Sequence, residues 1–279
     1  GLGKRLDWPA PYFTFYAEAS YERYMLKDWN TFVLKNGAAN LLSIRLVLGR
    51  NSVDQPIYPR RGSDFSVSVQ LTPPYSLWDG KDYKSTALSE QERYNWIEFH
   101  KWMLKGQWFT PLTRNGNLVL MARAEMGYLG HYNKNKVSPF ERFEVGGDGM
   151  TGYNMYGIDI ISMRGYDDGA LDPVGSNYSC AYNKYTMELR YPLLLKGQTN
   201  IYVLGFLEGG NGFTSWKEFS PFKIKRSAGI GVRLFLPVVG MVGVAWGWGF
   251  GTDDWASTPP AGQPNRSGSH IHFTMGMQF

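Results

Sequence analysis

The stretch Ser-His-Ile-His-Phe-Thr-Met-Gly-Met-Gln-Phe at residues 269–279 carries the most regular pattern in the chain. Apolar side chains occupy every second position: Ile271, Phe273, Met275, Met277 and Phe279. Histidine, threonine, glycine and glutamine hold the positions between them. Because successive side chains of a β-strand point to opposite faces, this alternation predicts a strand with one apolar face. A soluble β-sandwich gives the same alternation, so a single strand does not decide the fold.

The same period of two recurs along the chain and predicts an all-β fold. Residues 63–73 and 240–251, for example, alternate apolar side chains with small or polar ones. Several runs reach about ten residues, which is the length that a tilted strand needs to cross a bilayer, and the second face suits a water-filled lumen. We predict ten strands, near residues 12–25, 39–50, 63–73, 94–110, 117–128, 182–194, 199–210, 224–236, 240–251 and 268–279.

The connections between these predicted strands alternate in length. Compact turns follow every even-numbered strand up to the eighth, at residues 51–62, 110–116, 195–198 and 237–239. Long loops follow the odd-numbered strands from the third to the ninth, at residues 74–93, 129–181, 211–223 and 252–267. Short turns on one side and long loops on the other are typical of outer-membrane barrels, whereas a sandwich has no reason to keep this parity. The sequence therefore predicts a transmembrane antiparallel β-barrel.

The composition is consistent with a membrane barrel and argues against a nucleic-acid-binding or disulfide-bonded protein. The chain has 279 residues, of which 16% are aromatic and 19% charged, and its mean hydropathy is −0.33. A low mean hydropathy does not exclude a membrane protein, because every second residue of a barrel strand faces water. The net charge of +5 is small and dispersed, which argues against nucleic-acid binding. Cys180 is the single cysteine, so no disulfide forms within the chain.

Residues 234–251 are apolar enough, and long enough, to suggest a transmembrane helix instead. Pro237 lies near the start of this stretch, and glycines would weaken a helix at Gly240, Gly243, Gly247, Gly249 and Gly251. Because these glycines fall mostly on alternate positions, we predict strand rather than helix.

The longest predicted connection, residues 129–181, contains two distinctive segments. Phe-Glu-Arg-Phe-Glu-Val-Gly-Gly stands at residues 140–147, and Met-Arg-Gly-Tyr stands at residues 163–166. A loop of about fifty residues without clear strands is usually functional or disordered. Its aromatic residues and paired glycines argue against disorder, so we expect a functional loop.

These segments resemble the sixth extracellular loop of the outer-membrane assembly and two-partner-secretion superfamily, whose hallmark is an Arg-Gly-Phe/Tyr tripeptide. Residues 51–69 resemble the turn and strand ahead of that loop. Residues 229–249 resemble the penultimate hairpin, and residues 273–279 resemble the C-terminal β-signal. The features occur in the same order over essentially the whole chain, which makes the resemblance more specific than the tripeptide alone. Within the superfamily the chain is most similar to the assembly factors.

The resemblance implies a sixteen-stranded barrel preceded by soluble POTRA domains. Residues 1–279 would then form the C-terminal part of the barrel domain, with the POTRA domains and the first strands absent from this chain. The first nine residues carry Lys4, Arg5 and Asp7 and lack the apolar core of a signal peptide. We therefore expect a portion of a longer, mature protein.

The resemblance also implies a site around the tripeptide Arg164-Gly165-Tyr166. In the family the arginine points into the lumen and pairs with acidic residues on the two strands after the loop. Glu188 and Glu208 stand at the matching positions, and the period of two allows both to face inward. A guanidinium suits two carboxylates, and partial burial strengthens that contact. The alternative is a solvated loop arginine.

The last predicted strand is a second candidate site. In the family this strand pairs weakly with the first strand and forms a lateral seam, where a client strand adds by edge pairing. The resemblance carries this role to Phe273, Met275, Gly276, Met277, Gln278 and Phe279. The alternative is an ordinary closing strand that carries its own assembly signal.

The residues give no sign of an enzyme, and we expect no catalytic group, no metal and no cofactor. His270 and His272 share one strand face, but no further metal ligand is predicted beside them. The resemblance implies a factor that folds and inserts β-barrel proteins in the outer membrane. Its partners would be unfolded outer-membrane proteins as clients, accessory subunits of an assembly complex, and the lipid bilayer. The alternatives are a two-partner-secretion or TamA-like translocation pore, and a passive porin or structural barrel.

Overall fold

Eleven antiparallel strands form one sheet in the computed structural model, which describes residues 1–8, 11–28, 36–85, 87–150, 157–173, 178–196, 199–237, 239–250 and 268–275. The sheet strands are neighbours in chain order, because β7 and β8 form a separate parallel pair and β6 joins β9. The elements are β1 Leu2–Leu6, β2 Phe13–Leu26, β3 Gly37–Asn51, β4 Gly62–Leu71, α1 Glu90–Tyr94, β5 His100–Pro111, β6 Val119–Gly130, β7 Phe143–Val145, β8 Asp159–Ile161, β9 Ala181–Lys196, β10 Thr199–Phe213, β11 Lys225–Leu236, β12 Gly240–Phe250 and β13 Gly268–Met275.

The two faces of the sheet differ as the alternation predicts. In β12, Val244 and Trp246 are nearly half exposed on the outer face, whereas Ala245 between them is buried on the inner face. In β9, Leu189 is exposed outside and Arg190 is buried inside. An uncovered apolar outer face is the surface that contact with lipid requires.

The connections keep the predicted parity of short turns and long loops. Residues 52–61, 112–118, 197–198 and 237–239 join strands at one end of the sheet. Residues 72–99, 131–180, 214–224 and 251–267 join them at the other end. We call these the short-turn end and the long-loop end.

The apolar stretch at residues 234–251 belongs to a hairpin. β11 ends at Leu236, and β12 begins at Gly240 and pairs with it in antiparallel register. The prediction of strand here is confirmed. Among the described residues, no helix has the length and apolar character needed to cross a membrane.

The strands and helices differ from the sequence prediction in three places. β1 is an eleventh strand, whose five residues are too few for a period to be read. β5 begins at His100 rather than near residue 94, because Ser89 and Glu92 form a capping box that starts α1 at Glu90. The long loop, expected to lack clear strands, contains β7 and β8. Their pairing joins residues far apart in the loop, which a local pattern does not reveal.

The inner face at the short-turn end is apolar, so the expectation of a small or polar inner face is wrong there. A hydrophobic cluster, which we call the turn-end cluster, consists of Tyr58, Phe109, Val119, Met121, Tyr202, Leu204, Phe206, Met241 and Ala245. Tyr58 comes from the turn between β3 and β4, and its ring packs edge-on against Tyr202. Its hydroxyl lies 2.8 Å from the carbonyl oxygen of Asn117 and 3.0 Å from that of Arg190. The turn thus folds inward and covers this end.

A charged residue in the middle of β12 tests whether the outer face of the sheet contacts lipid. Replacing Val244 with arginine would put a charge into the apolar band, and we expect a loss of roughly 2–4 kcal/mol in the free energy of unfolding. Val239, which lies in the turn beside β12 and is similarly exposed, provides the control, because an arginine near the interface costs only about 0–1 kcal/mol. Urea unfolding in lipid vesicles measures both variants. Equal losses would contradict a lipid-facing outer surface.

Candidate functional site

The described parts of the long loop between β6 and β9, residues 131–150, 157–173 and 178–180, fold back onto the inner face of the sheet. Their apolar side chains join those of the strands in a second cluster, which we call the loop cluster. Its members are Ala39, Leu41, Ile97, Phe99, Leu129, Phe140, Phe143, Val145, Ile158, Ile161, Met163, Tyr166, Ala170, Leu171 and Tyr182. Burial of these side chains holds the loop against the sheet and fixes the backbone that carries the tripeptide.

Ion pairs anchor the loop to the sheet beside this cluster. The ammonium of Lys101, on β5, lies 2.8 Å from carboxylate oxygens of Glu141 and Asp159 in the loop. Burial raises the pKa of Glu141, and the charge of Lys101 opposes that rise. Lys136 also contacts Glu98, at 3.3 Å, where two long-loop segments meet. Charged groups as buried as these are stable only when paired, so the pairs define one position for the loop.

The guanidinium of Arg164 contacts carboxylates from two neighbouring strands. Its Nη2 lies 2.7 Å from Oε1 of Glu188 on β9 and 2.7 Å from Oε1 of Glu208 on β10. Its Nε donates to the same Glu208 oxygen at 3.1 Å, and its backbone N–H donates to Glu208 Oε2 at 2.8 Å. Because all three side chains are buried, these charge-assisted bonds form away from bulk water, where they are strongest.

Glu188 is shared among several arginines. Its Oε2 accepts from Nε of Arg190 at 2.8 Å, and Nη2 of Arg233 lies 3.6 Å from its Oε1. Glu208 also accepts from the Thr186 hydroxyl at 3.2 Å. The loop motif is therefore one member of a network that crosses β9, β10 and β11.

The aromatic ring of Phe206 completes the surroundings of Arg164. The guanidinium carbon lies 3.7 Å from the ring centre, which places the cation over the face of the ring. Burial acts to lower the pKa of Arg164, but the negative charges of Glu208 and Glu188 outweigh it and raise the pKa above its ordinary value. The two carboxylates therefore favour the charged form of the arginine.

Gly165 lies directly against β12 and has a left-handed backbone with φ +90°. A Cβ at this position would come within 2.9 Å of the backbone of Gly249 and Trp248. In turn, a Cβ on Gly247 would meet the backbone N of Gly165 at 2.8 Å. The chain needs glycine on both sides of this contact, because any side chain would separate the loop from the strand.

Tyr166 fixes the other side of the tripeptide to the long-loop end of the β11–β12 pair. Its hydroxyl lies 2.6 Å from the carbonyl oxygen of Arg226 and 3.1 Å from that of Phe250. Burial raises the pKa of this phenol, so it remains a hydrogen-bond donor at neutral pH.

The structure thus brings Arg164, Gly165 and Tyr166 together with Glu188 and Glu208, and it separates them from part of the second candidate site. Phe273 and Met275 lie on the outer face of β13, more than half exposed. Gly276, Met277, Gln278 and Phe279 lie outside the described residues. Of the described His, Cys, Asp and Glu side chains, no three or more are grouped so that they could hold a metal ion.

Several residues of the network were missed by sequence reasoning. Arg190 follows Glu188 by two positions, so the period of two could have placed it on the same face. The contact of Gly247 and Gly249 with the loop was not predicted from the sequence. Phe206 and Arg233 carry no local signal, because their contact with the motif depends on the register between β9, β10 and β11.

Comparisons with known proteins relate the sequence to a known family. The profile of the Omp85 superfamily domain matches residues 11–279. A segment of 143 residues, 51% of this chain, is 27% identical to the outer membrane protein assembly factor BamA of Neisseria meningitidis serogroup B, and the match covers 13% of that protein.

A solved structure has the same fold. The crystal structure of BamA from Haemophilus ducreyi lacking POTRA domains 1-3 superposes with a TM-score of 0.63 at 15% sequence identity. The superposition covers 97% of this chain and 52% of that chain, so the present chain spans about half the length of the solved relative. At this identity the likeness establishes the architecture, a transmembrane antiparallel β-barrel.

Removing the arginine tests the ion-pair network. We expect Arg164→Ala to cost roughly 3–5 kcal/mol, because it leaves buried carboxylates without their cation. A second substitution, Glu208→Gln, would restore part of the loss by removing one of those charges. Heat-modifiability on gels, read as the temperature at which the folded band is lost, measures the effect. Arg114→Ala, in an exposed short turn, is the control, and an equal response in both single variants would contradict the network.

A methyl group at Gly165 tests the contact with β12. We expect Gly165→Ala to release the tripeptide at a cost of about 1–3 kcal/mol, because it adds both backbone strain and a clash. Gly80 also has a positive φ, of +67°, but open space around its Cβ position, so Gly80→Ala isolates the strain. Limited proteolysis within the loop reports release. Similar cleavage of the two variants would show that close packing on β12 is unimportant.

Proposed function

This chain belongs to the Omp85 superfamily, and on that basis we propose that it folds and inserts other β-barrel proteins into the outer membrane. The chain is itself an outer-membrane β-barrel. The name of the meningococcal relative, an outer membrane protein assembly factor, supports the proposal. The proposed activity needs no covalent step and no cofactor, since it consists of offering strand edges to a client.

Side chains fill a large part of the inner face, which favours insertion over translocation through the barrel. The loop cluster packs at the long-loop end, and the turn-end cluster packs at the opposite end. Between them lies a polar cavity of about 400 Å³, lined by charged groups that include Arg123, Lys184 and Arg233. A polypeptide passing along this face would have to displace both clusters and break buried ion pairs. This observation supports a client route at the sheet edge.

The proposed client-binding edge is β13. Within the described part of the sheet, β13 stands last in the strand order and pairs with β12 alone. An end strand presents unpaired backbone groups that can accept another strand. We propose that Phe273, Met275 and the residues Gly276 to Phe279 form one side of a seam where an unfolded outer-membrane protein adds a strand.

We further propose that the whole protein is longer than this chain. Residues 1–279 would be the C-terminal part of a larger barrel domain, preceded by further strands and by POTRA domains. Accessory subunits of an assembly complex would be further partners. The upstream reading frame tests this arrangement, since a frame without POTRA-type repeats would contradict it.

Reconstitution of the full-length protein with its accessory subunits in lipid vesicles tests the activity. We expect an unfolded outer-membrane barrel protein added to these vesicles to acquire its heat-modifiable folded form. We expect Tyr58→Ala to raise the ion conductance of the vesicle membrane by opening the turn-end cluster while client folding continues. The conservative variant Tyr58→Phe keeps the ring and is the control.

The outcomes separate the two members of the superfamily that the sequence suggests. Transport of a secreted partner into the vesicles, without client folding, would make the protein a translocation pore. A disulfide between β13 and the strand that faces it in the closed barrel tests the seam in the same assay. Full client folding with that disulfide formed would exclude the seam, and folding restored by reductant alone would support it.

A further inference from the structure

The last described strand is attached to the long loop through its inner-face histidines. His272 is 4% exposed, and its Nε2 accepts a hydrogen bond from the backbone N–H of Gly165 at 2.7 Å. Because an imidazole nitrogen accepts only when it carries no proton, the bond requires the neutral ring with its proton on Nδ1. The bond joins the tripeptide directly to β13.

Two further contacts bind the same loop to the same strand. Nδ1 of His270 lies 3.1 Å from Oδ1 of Asp167, one residue after the tripeptide. The carboxylate of Asp148 accepts from the backbone N–H of Phe273 at 3.3 Å, so this strand N–H bonds to the loop. The loop therefore contacts three of the eight residues of β13.

The sheet itself supplies little on this face to hold β13 in place. The cross-strand neighbours of His270 and His272 on β12 are Gly247 and Ala245. Side-chain pairs across strands are a main source of sheet stability, and glycine or alanine gives the imidazoles almost nothing to pack against. The loop fills the space that β12 leaves, and its backbone provides the partner that a cross-strand residue would normally provide.

The tripeptide thus contacts strands at both ends of the five-strand segment β9 to β13. Arg164 is held by β9 and β10, and Gly165 by β13, while β11 and β12 lie between and beneath them. A shift of the loop away from the carboxylates would pull on His272, and a departure of β13 would pull on Gly165.

We propose that His272 is a positioning residue that couples the tripeptide to the last strand, so that release of the loop and loosening of β13 are one event. The ligand of the imidazole is the loop's own backbone N–H. The coupling stands on contacts within this chain and does not depend on what the protein inserts or transports.

Hydrogen–deuterium exchange on the full-length protein in lipid nanodiscs tests the coupling. We expect His272→Ala to speed exchange of the β13 amides roughly tenfold, which corresponds to the loss of one buried hydrogen bond. We expect His272→Gln, whose amide oxygen can accept the same N–H, to keep near-native exchange. We also expect Arg164→Ala to speed exchange in β13, although Arg164 contacts β9 and β10 rather than β13.

Thr274→Val is the matched control, because Thr274 shares the strand and the inner face with His272. Unchanged β13 exchange in His272→Ala would overturn the proposal, and so would equal acceleration in Thr274→Val. Equal acceleration in the alanine and glutamine variants would exclude the acceptor role of the ring. If Arg164→Ala left the exchange of the β13 amides unchanged, the coupling would be overturned. Client folding in vesicles is read separately, so its failure bears on the proposed function and leaves this result intact.

Discussion

The contact of Arg164 with Glu188 and Glu208 is the interaction on which the inner architecture depends. Each ionised group taken from water costs several kcal/mol unless it is paired and hydrogen-bonded. Here the guanidinium, both carboxylates and the Arg164 backbone N–H meet within 3.1 Å. Since the carboxylates stand on adjacent strands, one loop side chain joins β9 to β10. The loop cannot leave the inner face without stranding buried charge, and this constraint selects a single loop position.

The side chains on the inner face of β12 beside the tripeptide are small, and this allows the loop to occupy that position. Gly247 and Gly249 let the loop backbone approach the strand backbone, which a larger side chain would prevent. Gly247 also leaves His270 of β13 without a side chain opposite it, and Ala245 offers His272 only a methyl group. The loop compensates, because Gly165 donates to His272 and the Tyr166 hydroxyl reaches carbonyl oxygens of the β11–β12 pair. The weak packing of β13 against β12 and the close packing of the loop on β12 therefore both result from the small residues of β12.

A filled interior and an apolar exterior restrict where such a protein can act on a polypeptide. The two clusters and the buried ion pairs occupy a large part of the inner face, while the outer face carries side chains suited to lipid. What remains is the edge of the sheet, where backbone donors and acceptors are available. The histidines of β13 are important for this reason, because they connect the edge strand to the loop that packs inside the sheet.

The sequence by itself determined ten strands, the alternation of their two faces and the parity of the connections, because a period of two and a difference in loop length are local properties of the chain. It also allowed Glu188 and Glu208 to face inward, since that follows from the same period. It missed β1, α1 and the loop strands β7 and β8, and it predicted ten strands where the described part of the sheet has eleven. Only the tertiary structure decided that Tyr58 folds inside and that His272 accepts from Gly165, residues that are far apart in sequence. Such contacts depend on strand register and on the path of a fifty-residue loop, which are fixed by packing across the whole sheet rather than by any local pattern.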